Sequence, residues 1–273
     1  MDAWLNDPMV QASLAPFVVA LAVAVVLFKF RLGGLAAIAG FCTTAYLAGG
    51  LQFTPLTATR KLMVLALAAP AIGLLADFAF KATRATEIVL GVVFGAASAW
   101  MFSTVLAQRP GLQALILGGG VALFVAWTVG AMASLRGDPV RAGAAGLGLG
   151  LGAGFAALMA ASASLAQYGM GLGAACGAFL LVQMIAGRRR IDAGLTYTLT
   201  AGAIGALVAA AALVLANLRW IELAILAAVP LAARLPAPRR WPVWTQAIVV
   251  SFYTLACGAA AAVIAYLATR GSS

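Results

Sequence analysis

Two acidic residues lie in or beside long apolar segments, where a carboxylate needs a special reason to be present. Asp77 lies in "GLLADFAFKATRATE", with Lys81 four residues later on the same helix face, and Glu222 lies in "NLRWIELAIL" next to Arg219. A carboxylate in or near hydrocarbon is costly unless it is paired or hydrated, so both residues are candidates for coupling an ion to transport, with Asp77 first and Glu222 behind it. The alternative for each is an interfacial ion pair or anchor that fixes a helix end.

Two amide side chains, Gln183 and Gln246, lie within other apolar segments. An amide carries two N–H donors and an acceptor oxygen, and in apolar surroundings it requires several partners. We therefore predict that Asp77, Lys81, Gln183, Gln246 and Glu222 line a pathway or couple an ion to it. The alternative for the amides is hydrogen bonding between helices, which contributes about 0.6 kcal/mol for each bond.

The residue types that most enzymes use are scarce in this chain. There is no histidine, which excludes histidine-ligated haem, histidine zinc sites and histidine-based triads. The seven acidic residues form no D-x-x-D pair, and the three cysteines lack metal-ligand spacing. A serine nucleophile with a lysine base remains formally open, but Lys29, Lys61 and Lys81 have no marked serine partner. We expect no enzymatic activity, no metal site and no cofactor.

The elements that must position these side chains are transmembrane helices. Hydrophobic residues make up 64% of the 273 residues and charged residues 9%, with a mean hydropathy of +1.07, which indicates a membrane protein. Apolar runs of about 20 residues, the length that crosses a bilayer as a helix, recur along the chain. We predict an all-α polytopic membrane protein with ten helices in one compact bundle, at residues 12–28, 33–51, 62–80, 88–107, 112–134, 142–163, 165–186, 195–217, 219–234 and 243–268.

The basic residues are distributed unevenly between the two sets of links. Twelve of the 17 basic residues fall in alternate links, and the other five lie on the opposite side. The positive-inside rule then predicts that both termini lie outside the cytoplasm. This orientation, together with contact with anionic lipids, explains the basic charge better than nucleic-acid binding does. High alanine and glycine content, with arginine in place of most lysine, suggests a bacterial inner membrane protein.

A polar link near the midpoint, "SLRGDPVR" at residues 134–141, separates five predicted spans from five. We therefore predict two halves, residues 1–134 and 141–273, in a single membrane domain. An odd number of spans in each half places the halves in opposite orientation, as in the inverted repeats of many secondary transporters. The segments at 34–49 and 171–187 occupy matching positions but share only a few small residues, so chance similarity remains an alternative.

Glycines occupy almost every second position of "RAGAAGLGLGLGAGFAALMA", residues 141–160. The stretch lacks the G-x-G-x-x-G spacing and α/β context of a dinucleotide loop, and its intervening residues are too apolar for a flexible linker. Spacing of four residues indicates close helix packing, and the sixth span is expected to be central. The packing glycines are Gly146, Gly150 and Gly154, with Gly148 and Gly152 on nearly the opposite face, and Gly169, Gly173 and Gly177 in the next span.

These glycine faces admit two interpretations, simple packing or surfaces on which helices slide during alternating access. Two prolines in mid-span, Pro70 and Pro230, each remove a helix hydrogen bond and predict kinks. We predict an integral inner-membrane permease or flippase-like transporter for a small molecule or lipid-linked group, working by alternating access at the interface of two helix halves. The alternative is a non-catalytic scaffold or assembly subunit that binds another membrane protein; only the permease requires a hydrated polar cavity at mid-depth.

Overall fold

The computed structural model describes residues 7–30, 32–50, 53–79, 83–187, 192–238 and 240–270, and these ranges contain helices and connecting turns but no strand. Eight helices are long and apolar enough to cross a membrane, and two shorter apolar helices lie among them. In chain order they are α1 (Val10–Leu27), α2 (Gly33–Gly49), α3 (Ala58–Ala79), α4 (Arg84–Met101), α5 (Gly111–Ala133), α6 (Pro139–Met159), α7 (Ala163–Ala186), α8 (Gly194–Leu215), α9 (Trp220–Ala232) and α10 (Val243–Arg270). The predicted all-α membrane bundle is confirmed, with α2 and α9 shorter than a full span.

Local sequence signals set several of the helix ends. The side chain of Asp138 accepts a hydrogen bond from the Arg141 N–H at 3.2 Å, and Pro139 follows as the first residue of α6. Thr83 and Thr86 form a capping box at the start of α4. Such caps satisfy N–H groups that have no partner within their own helix. The α7 helix ends at Gly187, whose φ of 58° favours glycine.

The most buried helix is α8, rather than the sixth span that the sequence favoured as the centre. The protein buries 89% of the α8 span, compared with 72% of α6. Helices α3, α5, α6 and α7 all pack against α8. Its second half, residues 201–212, consists almost entirely of small and aliphatic residues, which allows neighbours to approach from every side.

Glycines bring α6 into backbone contact with two neighbours. A Cβ added at Gly150 would lie 2.5 Å from the Gly173 nitrogen, and one added at Gly169 would lie 2.5 Å from the Gly154 Cα. On the other side of α6, a Cβ at Gly152 would lie 2.7 Å from the Cα of Gly258 in α10. These positions leave no room for a side chain, so backbone atoms of α6 lie in direct contact with those of α7 and α10.

Two of the predicted packing glycines have different surroundings. Gly146 faces side chains, since an added Cβ would lie 2.7 Å from both the Cys176 Sγ and the Tyr197 hydroxyl. Gly177 is less crowded, because its nearest neighbour would be a Leu147 methyl carbon at an ordinary 3.6 Å. Glycines with the same spacing in the sequence therefore have different surroundings in the structure: some contact backbone atoms, Gly146 contacts side chains, and Gly177 has room for a methyl group.

Polar contacts collect at the two ends of the bundle. At one end, here called the basic end, Arg136 pairs with Glu87 and Arg141 donates to the Ala233 carbonyl at 2.7 Å. At the opposite end, the Asn217 N–H donates to the Ala160 carbonyl at 3.4 Å. Every second link along the chain therefore lies at the same end of the bundle, as an up-and-down arrangement of helices requires.

Candidate functional site

Glu222 is a buried carboxylate in the first turn of α9. Its Oε2 accepts a hydrogen bond from the Arg219 N–H at 3.0 Å, which caps the helix. The residue is 1% exposed, and its Oε1 is buried without a hydrogen-bond partner. A buried carboxylate oxygen normally has a partner, so this atom marks a place where a proton, a water molecule or a ligand would be accommodated.

The first turn of α9 packs against the middle of α5. The ring of Trp220 packs on Gly120, where an added Cβ would lie 2.6 Å from a ring carbon. Gly120 lies near the middle of the 23-residue helix α5, which continues about two and a half turns further toward the opposite end. The Arg219 guanidinium donates to the Ala268 carbonyl at 3.3 Å, in the last turn of α10, instead of pairing with Glu222.

The α9 helix is broken between Glu222 and the basic end. One segment ends at Ala227, and the second, Val229–Ala232, contains Pro230 at its start. The Ala227 carbonyl next to the break accepts a hydrogen bond from the Trp127 indole nitrogen of α5 at 3.0 Å. The sequence-predicted kink at Pro230 is thus accompanied by an interrupted helix, whereas α3 continues through Pro70 from Ala58 to Ala79.

A polar cleft of about 240 Å³ lies at the basic end of the same helix. Within it, the Arg141 Nε lies 3.2 Å from the Asp138 Oδ2, and Arg141 also donates to the carbonyls of Ala233 and Leu235. Arg234 donates to the Ser134 hydroxyl. The cleft is lined by Asp138, Val140, Arg141, Arg234, Ala237, Gln246 and Val250.

Asp77 caps the N-terminus of α8. Its Oδ1 accepts from the Leu195 N–H and its Oδ2 from the Thr196 N–H, both at 2.8 Å. The Thr196 hydroxyl adds a third hydrogen bond at 2.7 Å. A carboxylate at this position satisfies free N–H groups and is stabilised by the helix dipole. Lys81, its predicted helix-face partner, lies outside the described residues.

The two predicted amides are not brought together. Gln183 lies in the last turn of α7, is 2% exposed and has an Oε1 without a hydrogen-bond partner. Gln246 lies at the start of α10, where its Nε2 donates to the Trp241 carbonyl at 2.8 Å. Both amides are therefore near the basic end, and only Gln246 lines the cleft.

Comparison of the chain with protein-family models, with curated proteins and with solved structures finds no match. The chemistry of the site therefore rests on its own geometry. Among the described residues, no cluster of three or more histidine, cysteine, aspartate or glutamate side chains could hold a metal ion.

The structure pairs a lysine with a serine, a combination that the sequence did not mark. The Lys61 Nζ lies 3.1 Å from both the Ser103 hydroxyl and the Trp100 carbonyl, and 4.9 Å from the centre of the Trp100 ring. A carbonyl at a helix C-terminus and an aromatic face are both ordinary structural partners of a lysine side chain. This geometry favours a buried helix cap over a catalytic dyad.

Arg141 and Arg234 were assigned in the sequence only to charge asymmetry, and they are the basic side chains that line the cleft. The signal that could have indicated them is "RGDPVR", where Asp138 precedes a helix-starting proline and lies three residues from Arg141. Arg234 offers no such local signal, because its place in the cleft depends on how α9 ends against α6 and α10.

Proposed function

We propose that this protein is a small multi-pass permease of a bacterial inner membrane, with its basic end facing the cytoplasm. In this proposal, proton uptake and release by Glu222 is coupled to the movement of a small molecule or lipid-linked group. The observation that carries the proposal is the buried, partnerless Oε1 of Glu222. An ionised carboxylate with an unpaired oxygen is costly in apolar surroundings, and binding a proton removes that charge.

The surroundings of Glu222 support this role in a second way. It is carried by α9, which is short and broken at Ala228, while the neighbouring α6 and α10 are continuous. Discontinuous helices form the binding sites of many secondary transporters because their ends expose backbone groups and allow local movement. We propose that substrate passes along α9 and that the break at Ala228 and Pro230 allows its two segments to move separately.

A scaffold or assembly subunit remains the second candidate, and the tight packing of α6 favours it. Main-chain contact at Gly150 and Gly152 on two faces of α6 gives a rigid interior that needs no aqueous path. A scaffold gains the helix cap made by the Glu222 Oε2 but nothing from the buried, partnerless Oε1, which is why the permease is the first proposal.

The test is proton movement in proteoliposomes that contain the purified full-length chain and an internal pH-sensitive dye. Small-molecule classes are added in turn, and the internal pH is followed in the wild type, Glu222→Gln and Asp7→Asn. A glutamine at position 222 retains an oxygen for the Arg219 N–H, so the helix cap is preserved. Asp7 is exposed and serves as the matched acid-to-amide control.

We expect substrate-dependent proton uptake in the wild type and Asp7→Asn, and its loss in Glu222→Gln. Equal proton uptake in Glu222→Gln and the wild type would exclude Glu222 as the coupling residue. If no added class moves protons in the folded wild type, the scaffold becomes the better explanation, and co-purification of a membrane partner would then be the next measurement.

A further inference from the structure

The cleft at the basic end has a net positive lining that the proposed proton-coupling residue does not explain. Asp138 and Arg141 offset each other through the 3.2 Å contact between the Asp138 Oδ2 and the Arg141 Nε. Arg234 donates to an uncharged partner, the Ser134 hydroxyl, and has no carboxylate partner among the described residues. One guanidinium charge therefore remains uncompensated at the cleft.

The N-terminus of α6 adds a partial positive charge at the cleft. The α6 helix begins there, at Pro139, so the positive end of its dipole lies at the cleft, where Asp138 already caps the Arg141 N–H. Arg141 holds the end of α9 through the carbonyls of Ala233 and Leu235, which fixes the position of the neighbouring Arg234. The positive groups are thus held by the fold around an existing cavity.

The volume limits the kind of ligand. At about 240 Å³ the cleft is smaller than the roughly 300–1,000 Å³ of pockets that enclose drug-sized molecules. A compact anion with several acceptor oxygens suits both the size and the donors, because guanidinium groups recognise phosphate through paired hydrogen bonds.

We propose that this cleft binds a phosphate group, with Arg234 as its principal charged ligand and Gln246 at its rim. Two sources present this chemistry, an anionic phospholipid headgroup and a free phosphate ion. The lipid source has a physical route to the site, because Trp241 and Trp244 near the cleft are 42% and 55% exposed and are residue types typical of the membrane interface. The proposal does not depend on proton exchange at Glu222.

The test compares Arg234→Gln with Arg240→Gln, which removes the same charge from an exposed position in the same link but outside the cleft lining. The full-length protein is purified in a non-ionic detergent and delipidated. Binding is measured by native mass spectrometry with phosphatidylglycerol and with phosphatidylcholine, and by calorimetry with inorganic phosphate. Thermal unfolding of each variant establishes that the fold is retained.

We expect the wild type and Arg240→Gln to bind phosphatidylglycerol more tightly than phosphatidylcholine, and Arg234→Gln to lose about tenfold in that affinity. Arg234→Lys should recover only part of the loss, because lysine keeps the charge but not the two-pronged geometry. Phosphate binding that is sensitive to Arg234 without lipid preference would identify a soluble phosphate as the source.

Two results would overturn the proposal. Equal losses of phosphatidylglycerol affinity in Arg234→Gln and Arg240→Gln would show nonspecific electrostatic attraction to the basic end instead of a specific binding site. Absence of binding by the folded wild type to either the anionic lipid or inorganic phosphate would show that the cleft holds no phosphate.

Discussion

Along the interface of α6 and α7, main-chain atoms of the two helices lie in contact, whereas α9 contacts its neighbours through side chains, among them the Trp220 ring on α5 and Leu226 on α6. Gly150 and Gly173 define the first region, and Glu222 and Trp220 the second. Both regions are buried, and the second holds the partnerless Oε1 of Glu222 in the first turn of a broken helix.

The difference follows from how each helix fills space. Two long helices with glycines on facing stripes can approach until backbone atoms are in contact, which excludes side chains and water. The α9 helix is short and interrupted, so long side chains from its ends occupy the space around it. The partnerless Glu222 oxygen therefore lies where a helix is incomplete, whereas backbone contact at Gly150 and Gly173 leaves no room for a side chain.

The largest expected effect comes from placing a methyl group in the sealed interface. Gly150→Ala should lower the free energy of unfolding by about 3 kcal/mol, because the new Cβ meets backbone atoms of Gly173 that cannot move aside independently. Gly177→Ala is the matched control and should be neutral or slightly stabilising, since its neighbour lies at 3.6 Å and alanine favours helix. Reversible unfolding in mixed micelles measures both, and equal effects would contradict the described packing.

A smaller loss should follow removal of the Asp77 cap. Asp77→Ala leaves the N–H groups of Leu195 and Thr196 without their acceptor, and we expect a cost of about 2 kcal/mol in unfolding free energy. Asp7→Ala removes a single exposed hydrogen bond, from the Met9 N–H to the Asp7 Oδ1, and should cost no more than about 0.5 kcal/mol. If Asp77→Ala changes the free energy of unfolding as little as Asp7→Ala does but alters proton movement, Asp77 belongs to the transport pathway and not to the α8 cap.

The two glutamates should respond differently to loss of the carboxylate. Glu222→Gln should change the free energy of unfolding by less than about 0.5 kcal/mol, because glutamine keeps an oxygen that accepts from the Arg219 N–H. Glu87→Gln should lower it by about 1 kcal/mol, because Glu87 pairs with Arg136. Unfolding of the two variants under identical conditions tests the contrast, and a loss of stability in Glu222→Gln would indicate that its carboxylate is structurally paired.

The smallest effect should come from the broken helix. Trp127→Phe keeps an aromatic ring but removes the indole N–H that donates to the Ala227 carbonyl, at an expected cost of about 0.6 kcal/mol. Deuterium exchange of the amides around Ala228 should increase in this variant. Unchanged exchange there would show that the indole does not stabilise the break.

Parts of this comparison were predictable from the sequence. Spacing of Gly150 and Gly154 with Gly169 and Gly173 indicated close packing, and apolar runs indicated the helices. The sequence also marked Glu222 as a carboxylate in an apolar segment. It ranked Asp77 ahead of Glu222, whereas contacts from distant segments show that both oxygens of Asp77 accept hydrogen bonds and that one oxygen of Glu222 does not.

The sequence by itself determined that the chain forms a bundle of apolar helices, because run length and hydropathy are properties of consecutive residues. Only the tertiary structure decided that α8 is the most buried helix, that Asp77 caps it, and that Arg141 and Arg234 line a cleft beside Gln246. These features arise between residues far apart in the chain, and composition records which groups are present but not which of them meet.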